Sequence, residues 1–415
     1  MVLEFTRFPT IDDVELNRKK VLVRVDFNSP IDKDGKIMDD SRIRAHRQTL
    51  LALINYGAAV VVITHQGRPG DNDFITLEPH AEKLEEVLGV KVRFVSDVIG
   101  PAATEAIRSL SSGEILLLDN IRLVSEELIE AEPEKHARTY LVRKLSPLFD
   151  YFVFDAFATS HRSQPSIVGF PVVLPTLVGY VMKSELEALN KSLLSSESPR
   201  LFVLGGAKVR DTIKIIEFLT RKRIADRILT TGLVGLTFHV AKGGRAGKSL
   251  LKFLEEKGLT TLIPLARRVI LSGAPIDTPY DVKVVKNDGS ITEEPINTAD
   301  GVPVDIGSYT SLMFSEMIKE ASVVVLRGPA GYVEDPRFRT GTLDILKAAL
   351  ECNAYVIIGG GHLGSMLSEV GITREKGLHV STGGGALLIA LSGETLPALK
   401  ALEISYKKFF MGGSL

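Results

Sequence analysis

Basic and polar side chains in the first half of the chain are placed where they could bind an anion. Each comes just after, or in the loop next to, a short apolar run, and the set consists of Asp26, Asn28, His65, Arg68, Arg122, His161 and Arg162. The guanidinium group of arginine matches a phosphate or carboxylate group through two parallel hydrogen bonds. One such arginine alone could be a solvated surface charge, but several at equivalent positions favour a shared pocket. The first half is therefore predicted to bind a small, highly charged anion.

Glycines occupy the equivalent positions in the second half of the chain. They are Gly205 and Gly206, Gly328, Gly359 to Gly361, and Gly383 to Gly385. A glycine turn that opens a helix lets backbone N–H groups approach phosphate oxygens. Lys208 alone could be a surface lysine at a helix start, but beside Gly205 and Gly206 it could add a positive charge to a polyphosphate site. The second half is therefore predicted to bind a nucleotide.

The apolar runs that precede these residues predict the elements that position them. They begin at Val21, Ala58, Glu114, Tyr151, Leu201, Arg227, Ser322, Tyr355 and Leu378. Such β-branched runs, alternating with longer helical patterns, indicate βαβ units and parallel sheets, in which ligands bind at the carboxyl ends of the strands. Because a chain of 415 residues exceeds the roughly 250 to 300 residues at which a single core stops growing, we expect two domains.

Composition limits the kinds of partner. A formal net charge of −1 provides no global field to attract nucleic acid or a membrane. The single cysteine, Cys352, excludes an intramolecular disulfide and is interpreted as a core thiol in a reducing compartment. No apolar run reaches the roughly 18 residues of a membrane-spanning helix, and the N-terminus has no signal-peptide pattern. We therefore expect a cytoplasmic protein with small-molecule partners.

Other candidate motifs have weaker support. Gly243 to Ser249 resembles a phosphate loop, but Lys242 stands where a glycine is required, so we interpret it as a surface loop. Gly359 to Gly364 fits the dinucleotide pattern, yet the run from Leu378 lacks the acidic residue that such a fold needs. An NAD-dependent oxidoreductase and a non-catalytic anion-binding protein are the alternatives. The histidines in helical patterns are predicted to be surface or packing residues; they are His46, His80, His136 and His239.

The assembled motifs resemble those of the phosphoglycerate kinase family. They follow the family's order over nearly the whole chain, and the matching blocks are VLVRVDFNSP, DDSRIRAHR, ITHQGRP, LLLDNIRLVSEE, DAFATSHRSQPSIVG, VLGGAKV, RGPAGYVE, GGGH and HVSTGGGALLIALSGETLPAL. An ordered series of blocks is far more specific than any single glycine motif. The SHRSQ, GGAKVRDT and GGGHL variants resemble the archaeal branch of the family.

This resemblance implies an α/β fold with two Rossmann-like, doubly wound parallel-sheet domains joined by a hinge helix. The implied reaction transfers phosphate reversibly between ATP and 3-phosphoglycerate, giving ADP and 1,3-bisphosphoglycerate, with Mg²⁺, in glycolysis and gluconeogenesis. We expect a phosphoglycerate domain at 1–180 with the tail 395–415 packed on it, an interdomain helix at 181–197, and a nucleotide domain at 198–394. The apolar spacing itself predicts a helix from about Lys183 to Leu194. Whether the protein is a monomer or a homodimer is left open.

The resemblance also implies roles for individual residues. The phosphoglycerate site would consist of Arg24, Asp26, Asn28, Arg42, His65, Arg68, Arg122, His161 and Arg162. The nucleotide site would consist of Gly205, Gly206, Lys208, Gly232, Gly328, Pro329, Glu334, Gly359, Gly360, Gly361 and His362. Arg42 and Lys208 would stabilise the transferring phosphoryl group from opposite sides, and backbone N–H donors would come from Gly383, Gly384 and Gly385. The acceptor carboxylate, with a pKa of about 4, is ionised at neutral pH, so no general base is required.

Several positions depart from the family pattern. Thr212 replaces a second lysine, with Arg210 and Lys214 nearby, and His362 replaces an aspartate that commonly binds Mg²⁺. Mg²⁺ prefers oxygen ligands, so a histidine is a poor replacement and the protein ligands of the metal stay unassigned. Phosphates and water would then supply most of the ligands of the ion. Alternatively, His362 donates to a phosphate or has only a structural role. The remaining replacements are Leu363 for a threonine, Arg327 for an asparagine, Thr231-Gly232-Leu233 for a triple glycine and Gln164 for a histidine.

Overall fold

Two compact units make up the described part of the chain. The computed structural model describes residues 8–374 and 376–412. The first unit contains the described residues up to Glu187 together with those from Thr395, and the second contains Ala188–Glu394. The chain passes from one unit to the other inside the helix Tyr180–Leu194, which includes the helix predicted from about Lys183. The functional roles assigned above to each part of the chain stay predictions.

A six-stranded parallel sheet forms the centre of the first unit. Its strands are β1 (Lys20–Arg24), β2 (Ala59–Ile63), β3 (Val92–Val95), β4 (Ile115–Leu118), β5 (Tyr151–Phe154) and β6 (Thr176–Val178). They lie in the order β3-β4-β2-β1-β5-β6, and neighbouring strands are parallel. All residues of β2 and β4 are buried, as expected for a parallel sheet covered on both faces.

The second unit contains a similar sheet and a smaller one. Its strands are β7 (Arg200–Leu204), β8 (Arg227–Thr230), β9 (Ile276–Asp277), β10 (Asp281–Val285), β11 (Ile291–Pro295), β12 (Val302–Ile306), β13 (Val323–Arg327), β14 (Tyr355–Gly359) and β15 (Leu378–Ser381). The large sheet is parallel, with the order β15-β14-β13-β7-β8-β9. Strands β11-β10-β12 form an antiparallel sheet.

Helices connect these strands. They are α1 (Ser41–Ala45), α2 (Arg47–Asn55), α3 (Glu78–Leu88), α4 (Pro101–Arg108), α5 (Pro133–His136), α6 (Tyr140–Leu145), α7 (Phe170–Val173), α8 (Tyr180–Leu194), α9 (Val209–Arg221), α10 (Gly232–Ala241), α11 (Lys248–Glu256), α12 (Ile263–Leu271), α13 (Ser308–Lys319), α14 (Thr340–Glu351), α15 (Gly361–Val370), α16 (Gly385–Leu391) and α17 (Pro397–Phe409). Shorter turns are 3-10 helices at Ile121–Leu123, Ser125–Leu128, Ser146–Leu148, Phe157–Thr159, Thr260–Leu262 and Pro336–Phe338, and a π-helix at Pro165–Gly169. In the described residues, no helix is long and apolar enough to span a membrane.

The predicted α/β fold with two doubly wound parallel sheets is confirmed. Each of the nine apolar runs identified in the sequence overlaps a strand of one of the two parallel sheets. Three strands of these sheets had no such signal, namely β3, which is interrupted by Arg93, the three-residue β6 and the two-residue β9. The antiparallel sheet was also missed, because β11 alternates exposed and half-buried residues and has no apolar face.

The order of strands places a topological switch point in each unit. In the first sheet the order runs outward in both directions from β1 and β5, and in the second it runs outward from β7 and β13. Ligands of doubly wound sheets bind where the connections diverge in this way, outside the carboxyl ends of the strands. The residues that follow β1, β5, β7 and β13 are therefore the ones that the fold itself marks for binding.

The C-terminal helix α17 packs in the first unit. Its backbone N–H at Ala398 donates to the carbonyl of Ser160 at 3.1 Å. The hydroxyl of Ser405 accepts from the backbone N–H of Thr176 at 2.9 Å and donates to the carbonyl of Leu174 at 3.1 Å. These contacts hold α17 beside β6 and beside the loop that precedes His161.

The weaker motifs have structural explanations. Gly243 to Gly247 forms a loop before α11, in agreement with the interpretation as a surface loop. A Cβ at Gly247 would lie 2.2 Å from the carbonyl oxygen of Ala299, so packing explains that glycine. Cys352 is buried, as predicted, and its thiol donates to the carbonyl of Ala349. The four histidines in helical patterns are all buried, so they are packing and not surface residues.

A buried carboxyl group in the second unit links its stability to pH. Asp305 in β12 accepts hydrogen bonds from the backbone N–H groups of Ile306 and Gly341, both at 2.9 Å. Burial nevertheless raises its pKa to about 6, although Lys283, whose Nζ lies 3.9 Å from Oδ2, acts in the opposite direction. The folded state therefore favours the protonated form, and this contribution to stability is present below about pH 4 and lost as the pH rises through about 6.

We expect the unfolding free energy of the second unit to fall by up to about 3 kcal/mol between about pH 4 and pH 7 because of this group. The substitution Asp305→Asn should remove that dependence. Urea denaturation of both proteins across this pH range measures it. Lys283→Ala should move the loss to higher pH, whereas Lys286→Ala, which lies directly after the same strand and is paired with Glu294, should leave it in place. An unchanged pH profile in Asp305→Asn would contradict the assignment.

Candidate functional site

The carboxyl end of the first sheet gathers basic side chains. Arg24 ends β1, His65 and Arg122 lie in the turns after β2 and β4, and His161 and Arg162 follow β5. We call the set Arg24, Arg42, His65, Arg68, Arg122, His161 and Arg162 the basic cluster. The charges of Arg24, Arg42, Arg122 and Arg162 all act on the imidazole of His65. The structure therefore brings these predicted residues together.

Arg24 is the most deeply buried member of the basic cluster. Its side chain is 1% exposed, and its Nε donates to the hydroxyl of Ser166 at 3.0 Å. Its Nη1 donates to the carbonyl of Val25, and its Nη2 lies 3.2 Å from Nδ1 of His65. Burial lowers the pKa of Arg24, while the negative charges of Glu127 and Asp26 raise it. Arg24 thus provides a fixed positive charge at the buried end of the basic cluster.

Asp26 and Asn28 organise the loop after β1. The Asp26 carboxylate accepts from the guanidinium group of Arg42 and, at 3.2 Å, from the backbone N–H of Asn28. The side-chain oxygen of Asn28 accepts from the backbone N–H of Gly67 at 2.9 Å. A predicted binding role for Asn28 therefore coexists with a structural one, since its oxygen joins the loops that follow β1 and β2.

Arg122 is held by a second network. Its guanidinium group donates to the carbonyl of Gly67, and its backbone N–H donates to the side chain of Asn120 at 3.2 Å. The Asn120 amide in turn donates to the carbonyls of Gln66 and Ile75 at 2.7 and 3.0 Å. Burial and the charges of Arg24 and Arg162 lower the pKa of Arg122 to about 10, so it stays charged at neutral pH.

Glu127 is a buried counter-charge that the sequence analysis missed. It is fully buried, and its carboxyl group accepts from the backbone N–H of Ser166 at 3.0 Å and from the Ser166 hydroxyl. Burial raises the pKa of Glu127, and the charges of Arg24 and Arg122 oppose this shift. Glu127 therefore connects through Ser166 to Arg24. Its sequence signal was weak, because it lies in a 3-10 helix with no strand before it.

Both histidines of the basic cluster are uncharged near neutral pH. Burial lowers the pKa of His65 well below its ordinary value, and the surrounding arginines lower it further. Burial and the charge of Arg162 lower the pKa of His161, whose Nδ1 is buried without a hydrogen-bond partner in the described part of the chain. Neutral imidazole can donate one hydrogen bond to an anion without adding to the charge repulsion in the cluster. Arg68 is exposed at the cluster's rim.

Close packing explains most glycines at the switch point of the second unit. A Cβ at Gly205 would lie 2.2 Å from Oγ1 of Thr231, and one at Gly328 would lie 2.3 Å from the carbonyl oxygen of Gly205. Gly206, Gly232 and Gly328 have φ values of 80°, 55° and 78°, in the left-handed region that favours glycine. The turns after β7, β8 and β13 therefore contact one another through their backbones, and glycine is required there with or without a ligand.

Other glycines have open space around them. Among the described residues, no heavy atom would lie within 4 Å of a Cβ at Gly360, Gly361 or Gly384, other than their chain neighbours and helix backbone. Gly361 is the first residue of α15, and Gly384 precedes α16. Gly359 differs, since a Cβ there would lie 2.3 Å from Cδ2 of Leu387. A ligand could approach the backbone at the three open positions.

The cations near these turns differ in what they contact. Lys208 precedes α9 and is exposed. Thr212, at the position of the family's second lysine, is buried and its hydroxyl donates to the carbonyl of Lys208 at 3.0 Å, so it faces no ligand. Lys214 pairs with Glu394 at 3.4 Å. Arg327 ends β13, where burial lowers its pKa and the charge of Asp211 raises it.

His362 lies beside a residue assigned to the same site. Its Nε2 is 3.6 Å from Oε1 of Glu334, and both side chains are more than half exposed. Pro329, whose carbonyl accepts from the backbone N–H of Gly206 at 2.8 Å, belongs to the same group of turns. In the described residues, no three histidine, cysteine, aspartate or glutamate side chains are grouped so that they could hold a metal ion. Protein ligands alone therefore do not suit Mg²⁺ here, which typically binds one or two carboxylates together with phosphates and water.

A cavity beneath the glycine turns is too small to be the ligand site. It is lined by Thr231, Gly328, Thr342 and apolar side chains including Leu363, and it has a volume of about 10 Å³. That is room for about one water molecule. The Oγ1 atom of Thr231 is buried there and has no hydrogen-bond partner among the residues that the structure describes. Leu363, in place of the family's threonine, is thus a packing residue.

Comparison with known proteins identifies the family. Residues 11–394 match the family model described as phosphoglycerate kinase. The chain belongs to the phosphoglycerate kinase family. It is 56% identical over 397 residues to the phosphoglycerate kinase of Saccharolobus solfataricus, with 96% of this chain and 97% of that protein covered. It is 48% identical over 413 residues to that of Aeropyrum pernix, with 99% of each covered.

Solved structures of phosphoglycerate kinases support the fold. The crystal structure of the enzyme from Pyrococcus horikoshii OT3 is 40% identical and matches with a TM-score of 0.87 over 97% of this chain and 100% of that one. The structure from Coxiella burnetii is 30% identical, with a TM-score of 0.79 over 95% and 99%. The resemblance to the phosphoglycerate kinase family, in its archaeal variant, is therefore confirmed.

Two further buried residues of this family member adjoin the basic cluster and were not singled out from the sequence. Asp155 directly follows β5 at the switch point, and His46 lies between α1 and α2. The rule that residues after parallel strands bind ligands could have drawn attention to Asp155. His46 was treated as a surface or packing residue, because helical spacing does not show what a buried side chain contacts.

Removal of the buried counter-charge should destabilise the first unit. Glu127→Ala leaves the buried Arg24 without the larger of its two negative influences, so we expect a loss of about 3–5 kcal/mol in unfolding free energy. Glu127→Gln should cost less, because its amide oxygen can still accept from Ser166. Urea denaturation measures both losses. The exposed Glu134→Ala serves as the control, and equal effects of Glu127→Ala and Glu134→Ala would contradict the role of Glu127.

Proposed function

We propose that the chain catalyses the reversible transfer of the γ-phosphoryl group of ATP to the carboxylate of 3-phosphoglycerate, giving 1,3-bisphosphoglycerate and ADP. Family membership makes it an ATP-using phosphotransferase. The observation that favours these substrates for the sites in this chain is the basic cluster, in which four guanidinium groups surround one neutral histidine. A compact trianion such as 3-phosphoglycerate would neutralise this excess of positive charge.

The basic cluster is proposed to hold 3-phosphoglycerate. Arg24 and Arg122 provide charges that the fold fixes in place, while Arg42, Arg68 and Arg162 are more accessible. The neutral imidazoles of His65 and His161 would donate hydrogen bonds. Asp26 and Asn28 would complete the site by orienting Arg42 and the loop after β2.

The second unit is proposed to hold the nucleotide. Polyphosphate oxygens would meet the open backbone at Gly360 and Gly361 and the ammonium group of Lys208. Glu334 would accept from the ribose hydroxyls, and Gly205, Gly206, Gly232, Gly328, Pro329 and Gly359 would shape the surface beneath the base and sugar. Arg327 is a further cation that we expect near the phosphates, because Thr212 is uncharged and buried and Lys214 pairs with Glu394. Arg210, which is exposed in α9, stays a second candidate.

The reaction itself needs no general base. The attacking carboxylate is ionised at neutral pH, so the protein's task is to align the reactants and neutralise charge. Arg42 and Lys208 are proposed to stabilise the transferring phosphoryl group, with backbone N–H groups at Gly384 and Gly385 as further donors. The N–H of Gly383, which was predicted to join them, donates to the Ser381 hydroxyl at 3.0 Å. Because each unit binds one substrate, transfer requires the two sites to be brought into line, and exclusion of water would prevent hydrolysis of ATP.

Mg²⁺ is proposed to arrive with the nucleotide phosphates, since the described residues offer it no group of three protein ligands. When bound, the ion would offset phosphate charge. His362, paired with Glu334, would then donate to a phosphate or simply support the ribose site. A cytoplasmic location and the choice between monomer and homodimer stay predictions.

Ligand-induced thermal shifts and a transfer assay test this function. ADP and 3-phosphoglycerate should each raise the unfolding temperature, whereas NAD should not. An assay of ADP formation, with Mg²⁺ and Mn²⁺ titrated, should show dependence on 3-phosphoglycerate. Stabilisation by NAD would favour the oxidoreductase alternative. Binding of both ligands with no transfer at any metal concentration would favour a non-catalytic anion-binding protein.

Arg42→Ala and Lys208→Ala should each lower kcat by about 100- to 1000-fold without unfolding the chain, because both act on charge in the transition state. An ADP-linked assay together with circular dichroism measures both properties. Arg44→Ala, whose wild-type side chain pairs with Asp40, and Lys214→Ala are the matched controls and should retain kcat. Near-normal turnover in Lys208→Ala would exclude it from the reaction.

His362→Ala should have a much smaller effect. An exposed ion pair such as His362 with Glu334 contributes only about 0–1 kcal/mol. We therefore expect the ATP affinity or the Mg²⁺ concentration dependence to change by less than about tenfold, or about 1.4 kcal/mol. Steady-state kinetics at varied ATP and Mg²⁺ concentrations measure this. Abolished activity would show instead that His362 takes part in the reaction.

A further inference from the structure

A buried carboxylate and a buried histidine connect the loop after β1 with the start of α8. Asp155 and His46 are 0% and 3% exposed. Asp155 follows β5, and its backbone N–H donates to the carbonyl of Arg24 at 2.9 Å, which places it at the switch point of the first sheet. The two side chains meet with His46 Nδ1 at 2.9 Å from Asp155 Oδ2.

Asp155 also caps α8. Its Oδ1 accepts from the backbone N–H of Met182, the third residue of that helix, at 3.0 Å. The first N–H groups of a helix have no partner inside the helix and need one from outside. Gly179, just before α8, has no side chain that could accept a hydrogen bond from these N–H groups. A Cβ there would lie 2.3 Å from Cγ of Asp155. The carboxylate of Asp155 thus replaces the missing cap.

The hydrogen bonds of His46 define its tautomer. Its Nε2 lies 3.2 Å from the backbone nitrogen of Asp26, which can only donate. Nε2 therefore accepts, and the proton is on Nδ1, from which it is donated to Asp155. A continuous chain of hydrogen bonds results, running from Met182 through Asp155 and His46 to Asp26. We call these four residues the Asp155–His46 chain.

The far end of this chain lies under the basic cluster. Asp26 is 5% exposed, and its carboxylate accepts from the guanidinium group of Arg42. Because the His46 ring holds the backbone of Asp26, it also limits where the Asp26 carboxylate, and hence Arg42, can lie. Helix α8 is the element within which the chain continues from the first unit to the second.

We propose that His46 and Asp155 are positioning residues that link the first turn of α8 to Arg42 through Asp26. Neither is assigned to touch a substrate, and the role of Arg42 in transfer rests on the proposed function. An anion bound to the basic cluster restrains Arg42 and Asp26, and the Asp155–His46 chain passes that restraint to the N–H of Met182. Loss of the chain misplaces Arg42, and a misplacement of about 1 Å can lower kcat by about 100-fold.

Three variants break this chain at different points. In Asp155→Asn the amide oxygen can still accept from the backbone N–H of Met182, but the amide N–H then faces Nδ1 of His46. Nδ1 must accept, so the His46 proton moves to Nε2, where it opposes the backbone N–H of Asp26. His46→Gln keeps an acceptor near Asp26 and loses the donor to Asp155. His46→Asn keeps the donor to Asp155 and loses the acceptor for Asp26. His136→Asn is the control, since His136 in α5 is similarly buried at 2% and is not part of the chain.

The first measurement uses the ligand-free protein. Nitrogen-15 NMR of histidine-labelled protein should show His46 as the Nδ1–H tautomer in the wild type and in His136→Asn, and changed in Asp155→Asn. An Nε2–H tautomer in the wild type would overturn the proposal. This result does not depend on activity, on binding or on the folding of every variant.

The second measurement follows amide hydrogen exchange at Met182 and steady-state kinetics. Saturating 3-phosphoglycerate should slow exchange at Met182 in the wild type and in His136→Asn but not in His46→Asn. The kcat of His46→Asn should fall by about 10- to 100-fold with little change in KM for ATP, and His46→Gln should retain more activity. Equal slowing of exchange in wild type and His46→Asn, or equal kcat in the two His46 variants, would overturn the proposal. Failure of the wild type to bind 3-phosphoglycerate would instead contradict the proposed function. The tautomer of His46 would then still test whether the Asp155–His46 chain exists.

Discussion

Mutual repulsion among buried and half-buried guanidinium groups is the interaction on which the first unit depends. Arg24, Arg42, Arg122 and Arg162 all act on His65, burial penalises the charges of Arg24 and Arg122, and the charges of Arg24 and Arg162 penalise that of Arg122 further. Glu127 and Asp26 offset part of this charge in the free chain. The uncharged imidazoles of His65 and His161 add no further positive charge to the basic cluster. The positive charge that is left is an electrostatic reason for a compact anion to bind, and it explains why the counter-charges are as deeply buried as the arginines.

At the switch point of the second unit, close contact between backbones takes the place of the charged side chains. The turns after β7, β8 and β13 press backbone against backbone, so Gly205, Gly232 and Gly328 are required by the contact of the turns with one another. The glycines that leave space are Gly360, Gly361 and Gly384, one step away at the starts of α15 and α16. Glycine therefore allows close packing of the turns at one set of positions and leaves the backbone open at the other. Only the local packing shows which of the two applies to a given glycine. In the proposed function, this unit would hold its ligand mainly through the backbone, whereas the first unit would use side chains.

Positioning of the reactive side chains extends well behind the sites. Glu127 acts through Ser166 on Arg24, Asn120 acts on Arg122, and the Asp155–His46 chain acts on Asp26 and Arg42. Each of these supports is buried, and two of them, Asn120 and Asp155, come just after the strands β4 and β5. The basic cluster is thus held from several directions by the loops of its own sheet, which suits a reaction in which alignment and charge are the whole contribution of the protein.

The sequence by itself determined the fold class, the division of the chain into a basic half and a glycine-rich half, and the family, because apolar runs and their following residues repeat in a fixed order. It could not determine β6, β9 or the antiparallel sheet, whose strands are too short or too exposed to leave an apolar pattern. Tertiary structure alone decided that Thr212 is buried, that Lys214 pairs with Glu394, and that Glu127, His46 and Asp155 stand behind the basic cluster. The physical reason is that such contacts join residues distant in the chain, and a buried polar side chain has no periodicity that reveals its partner.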